Sequence, residues 1–160
     1  MIATVFTAQP TTFTPWGRPT TLPKEEAKIK VADLLRIQGY RVNLGKQGQN
    51  CLWVTNKKRV ACVEVRLAKF TPNKARHQAS VQTKQPVDLL ILMLRDKTAN
   101  YYPYVLPLSV IGNRYNVSIW EENPVNYTGR WAKYMNAWEH LHQAVSQAPP
   151  RDQWHLSLFR

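Results

Sequence analysis

Glu64 is an acidic side chain set among valines in the run Arg59-Val60-Ala61-Cys62-Val63-Glu64-Val65-Arg66-Leu67. Burying an unpaired carboxylate is costly, so a metal ion, a cation or water has to compensate it. Glu64 and Arg66 are two positions apart and therefore share one face of a strand. Two readings follow. One is a structural ion pair on the wetter face of a sheet. The other is part of a centre that handles phosphate, with Gln49-Asn50-Cys51-Leu52-Trp53-Val54 supplying the facing strand.

Charge favours a polyanionic partner. Lys and Arg total 22 against 10 Asp and Glu, a net charge of +12. Such an excess repels itself in a folded chain, and nucleic acid is the commonest polyanion that exploits it. The cations cluster. No acid falls between Asp33 and Glu64, where Arg36, Arg41, Lys46, Lys57, Lys58 and Arg59 lie. None falls between Arg66 and Gln85, where Lys69, Lys74, Arg76 and Lys84 lie. Lys46, Lys57, Lys58, Arg59, Lys69, Lys74, Arg76 and Lys84 are therefore the candidate phosphate contacts.

Other candidates point to structure. His140 and His142 are two apart on a helix and do not share a face, so they make a poor metal pair. His77, beside Arg76, is expected to contact phosphate. Trp131, Tyr134 and Trp138 have the spacing of a buried helical stripe rather than a base-stacking platform. Glu121 and Glu122 are expected at the surface. Two cysteines, Cys51 and Cys62, make neither a disulfide framework nor a zinc motif. They read as small buried strand residues suited to a reducing, cytoplasmic setting. There is no Gly-rich phosphate loop and no Ser/His/Asp set.

The elements that must position Glu64 are legible. Residues 1–22, rich in proline and threonine, read as an irregular arm. Pro23 opens a helix with Glu25 and Glu26 in its first turn. Ala27, Val31, Leu34 and Leu35 form its apolar face, and Gly39 ends it. Strands are expected at Tyr40–Leu44, Cys51–Thr55 and Arg59–Leu67, with a tight turn at Asn56-Lys57-Lys58. A basic loop with a short helix, Asn73–Gln82, is expected next. The apolar run Val87–Leu94 reads as a strand covered on both faces. It is too short to cross a bilayer. Tyr101–Leu106 and Val117–Trp120 read as further strands, and Gly129–Gln147 as one C-terminal helix. Residues 23–147 thus form a single domain, an α/β (α+β sandwich) fold with helices on both sides of a mixed sheet, and 148–160 a tail.

The order helix, hairpin, Glu-x-basic strand, basic segment, apolar strand resembles the PD-(D/E)XK, or restriction-endonuclease-like, nuclease superfamily. That superfamily includes Holliday-junction resolvases and some homing endonucleases. The resemblance covers Pro23 to Leu94. It implies that Glu64 matches the Glu of Glu-x-Lys, that Arg66 falls at the lysine, and that Cys51 or Asn50 falls at the first-strand acid. Glu26 or Glu25 would match a helix glutamate. In an active enzyme, Glu64 and Glu26 would hold Mg²⁺ while Arg66 stabilises the phosphate. Mg²⁺ prefers carboxylate oxygens, however, and a thiol or a neutral amide replaces one of them here. Arginine stays protonated and cannot serve as a base. Binding of double-stranded DNA with weak or lost hydrolysis is therefore expected ahead of an active Mg²⁺-dependent endonuclease. An RNA-binding or ribonucleoprotein scaffold subunit is the third reading. A homodimer is expected by analogy.

Overall fold

The computed structural model describes residues 6–7, 23–46, 48–57, 59–83 and 85–148. Lys58, Lys84 and most of the expected arm and tail lie outside the described residues. In chain order the elements begin with β1 (Phe6–Thr7), α1 (Pro23–Ile37), β2 (Arg41–Asn43), β3 (Cys51–Asn56) and β4 (Arg59–Leu67). β5 (Lys69–Thr71), β6 (Arg76–Ser80), β7 (Leu89–Arg95) and β8 (Asn100–Pro107) follow. The last are α2 (Leu108–Ile111), β9 (Asn116–Ile119) and α3 (Glu139–Gln147).

The main sheet runs β1-β8-β7-β4-β3-β2, antiparallel except where β4 meets β7. β5, β6 and β9 form a second, three-stranded sheet. β7 explains the layering. Leu89, Ile91 and Met93 enter one core with Ala27, Val31 and Leu35 of α1 and Leu141 and Val145 of α3. Leu90, Leu92 and Leu94 enter a second core with Ala79, Val117 and Ile119 of the small sheet. Both long helices thus cover one face and the small sheet covers the other, which corrects the expectation of helices on both sides.

Local chemistry sets the boundaries. α1 ends where Gly39 adopts φ +96°. The Gly39 N–H then donates to Arg36 O, and the Tyr40 N–H to Leu35 O. This pairing satisfies the last helical carbonyls.

Two expected helices are absent in the form anticipated. Asn73–Gln82 is mostly strand. Pro72–Lys74 makes one 3-10 turn, Ala75 reverses the chain at φ +45°, and β6 pairs with β5 and β9. His77, Ala79 and Val81 are buried and alternate with more exposed neighbours, a period of two rather than 3.6. Gly129–Gln147 breaks at Asn136, which has φ +55° and donates its N–H to Pro103 O at 2.8 Å. The chain crosses the edge of β8 there, bridging Met135 to Tyr104. Trp131 and Tyr134 consequently serve the second core, and Leu141 and Val145 the first. No helix among the described residues is long and apolar enough to cross a membrane.

His77 is not a phosphate contact. It is 2% exposed, stacks on Phe70, and places its Nε2 3.0 Å from Glu122 O, where Nε2–H donates. Nδ1 is buried without a partner among the described residues. Burial lowers its pKa below the ordinary 6.5, against the smaller upward pull of the Glu122 carbonyl. The unfolded chain therefore takes up a proton first as pH falls. Its contribution to stability is complete above about pH 6.5 and declines below it. Between about pH 7 and pH 5, wild type should lose more unfolding free energy than His77→Phe, as read by urea titration. Equal losses would show that His77 takes up its proton in the fold as readily as in the unfolded chain.

Candidate nucleic-acid interface

Glu64 lies opposite Cys51 of β3 and beside Leu90 of β7. Its neighbours Val63 and Val65 fill the helix-covered core, so its own side chain projects from the opposite face. There it is 5% exposed. Its Oε1 accepts a hydrogen bond from Arg66 Nη2 at 3.1 Å, and its Oε2 is buried without a partner among the described residues. The same Arg66 nitrogen donates to Gln82 O at 3.1 Å. Arg66 is thus held between the buried acid and the chain leaving β6.

Cys51 and Cys62 occupy this face as small, buried, free thiols, as expected. Cys51 Sγ accepts from Gln85 Nε2 at 2.6 Å. The hydrogen bond from the Cys62 thiol pulls the Cys51 pKa below its ordinary value, against the upward push of burial. Asp88, an acid within the expected strand Val87–Leu94, has a structural task. Its carboxylate accepts the Cys62 N–H at 2.7 Å and its own N–H donates to Cys62 O, fastening the start of β7 to β4.

The first turn of α1 organises the loop that leads into β3. Lys28 is 3% exposed. Its Nζ donates to Gln49 O at 2.9 Å and to Lys46 O at 3.3 Å, and pairs with Glu25 at 3.3 Å. Glu25 in turn accepts the Gly48 N–H. This clamp delivers Asn50 to the end of the sheet, where its carbonyl accepts the Val65 N–H at 2.7 Å. Lys28 is therefore occupied with structure.

At that end a cavity of about 200 Å³ is lined by Lys24, Asn50, Arg66, Lys69, Gln78 and Ser80, among others. A wider basin of about 980 Å³ adjoins it through Arg66 and Ser80. Neither is lined by an acid among the described residues. Cations and neutral donors without carboxylates suit an anionic backbone. Sequence reasoning does not single out Lys24, Gln78 or Arg114. Lys24 reads there as an ordinary first-turn residue, Gln78 reaches the small cavity through strand pairings that spacing does not reveal, and Arg114 reaches the wider basin from the turn before β9.

The expected cations divide into two groups. Lys69 lines the small cavity, and the exposed Lys46 lies in the loop leading to Asn50. Lys57 and Arg59 lie at the other end of β4, roughly 23 Å from Arg66 at the rise of a strand. Arg59 Nη1 is also tied to Ala148 O at 2.6 Å. Lys74 is exposed at the turn between β5 and β6, and the Arg76 guanidinium lies 5.0 Å from the centre of the Trp120 ring. The basic surface therefore does not encircle Glu64 evenly. Glu121 and Glu122 lie at or near the surface, and Glu122 pairs with Lys97.

Glu26 belongs to a different neighbourhood. It is half-buried, with one carboxylate oxygen unpartnered among the described residues, and lies near Tyr101 of the helix-covered core. Burial raises the Tyr101 pKa, and the Glu26 charge raises it further. Glu26 and Glu64 are thus presented to different faces of the sheet. The donor set around Glu64 is one free carboxylate oxygen, a thiol and an amide, with a guanidinium 3.1 Å from the same carboxylate. Among the described residues no three His, Cys, Asp or Glu side chains gather as a metal group. A hard cation that wants several oxygen ligands does not fit this arrangement.

These layers and this strand order define an α/β nuclease-like fold. The bacterial homing endonuclease I-Ssp6803I has the same fold, at a TM-score of 0.62 and 16% identity. The match covers 79% of this chain and 94% of that one. No protein-family model and no curated protein matches the sequence.

Proposed function

We propose that this chain binds duplex DNA through the basic cavities at the end of β4, with phosphodiester hydrolysis weak or lost. In this reading it is a divergent relative of the PD-(D/E)XK nucleases, with Glu64 and Arg66 at the positions of Glu-x-Lys. The observation that carries it is Arg66, paired with the buried Glu64 and lining two cavities that hold no acid among the described residues. The guanidinium already neutralises the acid, which weakens Glu64 as a metal ligand, while its exposed edge remains available to clamp a phosphate. Lys24 and Lys69 add two charges beside it. The likeness to a homing endonuclease supports the choice of DNA. The free thiols suit a reducing compartment, and two copies on the two strands of a duplex would match the symmetry of that ligand.

Fluorescence anisotropy with a short labelled duplex tests this reading. Affinity should fall linearly with salt on logarithmic axes. A structured RNA of equal charge should compete poorly, and stronger competition by RNA than by DNA would favour the ribonucleoprotein reading. Lys57→Ala, at the far end of β4, should change duplex affinity by less than about threefold, the effect of a rim charge. A larger loss would extend the interface to the hairpin tip.

A further inference from the structure

We infer that the larger basin beside Arg66 accepts an unpaired nucleotide of the bound DNA, with its base stacked on Tyr115. This rests on the DNA-binding reading above and adds the form of DNA preferred. The basin, about 980 Å³, is lined by Arg66, Ser80, Gln82, Asn113, Arg114 and Tyr115, among others. Tyr115 is 67% exposed, so most of its surface is open to a flat partner. Every base offers such a face, and stacking on an aromatic ring is a major source of affinity for unpaired nucleotides. Gln82 and Asn113 each carry an amide donor and an amide acceptor, the set needed for the edge of a base. Arg66 and Arg114 supply positive charge for the flanking phosphates.

The walls are built rather than loose. Val81 N–H donates to Tyr115 O at 2.9 Å, Arg66 ties Gln82 O, and the Arg114 guanidinium lies 5.6 Å from the centre of the Trp131 ring. A base inside a regular duplex is already stacked on its neighbours and cannot present its face to a tyrosine. An extrahelical or single-stranded nucleotide can. The absence of acids from the described lining argues for an anionic chain rather than a basic peptide.

The test compares a perfectly paired duplex with the same duplex carrying one extrahelical nucleotide, by anisotropy on the full chain. Wild type should bind the second about tenfold more tightly, the scale of one stacked base. Tyr115→Ala and Asn113→Ala should reduce that preference to near unity, the readout being the ratio of the two affinities of each variant. The tyrosine backbone bond to Val81 survives substitution, and a matching thermal melt confirms the fold. Equal affinity of wild type for both duplexes, or a preference retained by Tyr115→Ala, overturns the inference and leaves duplex binding intact. Failure of wild type to bind either duplex overturns the DNA-binding reading, and this inference with it.

Discussion

Arg66→Leu is expected to lower the unfolding free energy by about 3 kcal/mol, the largest loss from replacing any single cation here. The reason lies in Glu64. Its side chain is 6% exposed, its Oε1 is held by Arg66, and its Oε2 has no partner among the described residues. Removing the guanidinium leaves a buried charge without compensation, which costs far more than a surface ion pair contributes. Arg66 is itself 24% exposed on its side chain, which places the loss toward the lower end of the range for buried pairs. The complementary experiment is informative. Glu64→Leu with Arg66→Leu removes both charges and should recover most of the loss, because apolar groups pack beside Leu90 and Cys62 without a desolvation penalty. Urea titration of the three variants gives the coupling directly. A small loss in Arg66→Leu, or additive losses in the double variant, would mean that water or another cation compensates Glu64.

The largest expected effect on binding comes from Lys24→Ala combined with Lys69→Ala. Both side chains are exposed and both line the small cavity with Arg66. Neither makes a side-chain bond to another described residue, so the fold should be unaffected. Each lysine that neutralises a phosphate contributes about 1 kcal/mol, so duplex affinity should fall about 30-fold at moderate salt. The logarithmic salt slope should shrink by about 2, one unit for each phosphate no longer neutralised. An unchanged slope would place the phosphate-binding residues elsewhere on the surface.

The strand that carries Glu64 is legible in the sequence because its determinants are local. Valines alternate around Glu64 and Arg66, and the register follows from the two-residue period. α1 is equally clear, with proline at its start, acids in its first turn and glycine after its end. The Asn73–Gln82 segment departs from its expected helix because its strand character depends on pairing with β9, about forty residues away in sequence. The alternation of His77, Ala79 and Val81 is the local trace of it. The Gly129–Gln147 segment departs for another reason. Its apolar residues keep helical spacing, yet they serve two cores on opposite faces of the sheet, which requires the break at Asn136. The candidate site is half visible. Sequence spacing brings Glu64 and Arg66 together, whereas Lys24, Gln78 and Arg114 reach the site only through the second sheet and the entry to α1. Charge counting gives the sign of the surface but groups Lys57 and Arg59 with a site that is a full strand length away.

One agarose gel tests the central claim most directly. Supercoiled plasmid is incubated with increasing wild-type protein in Mg²⁺ and, separately, in Mn²⁺, and half of each sample is deproteinised before loading. The expected result is progressive retardation of the untreated plasmid and intact supercoiled DNA after deproteinisation. Nicked or linear product that disappears with Glu64→Ala would contradict it and make the Glu64 carboxylate the centre of an active endonuclease.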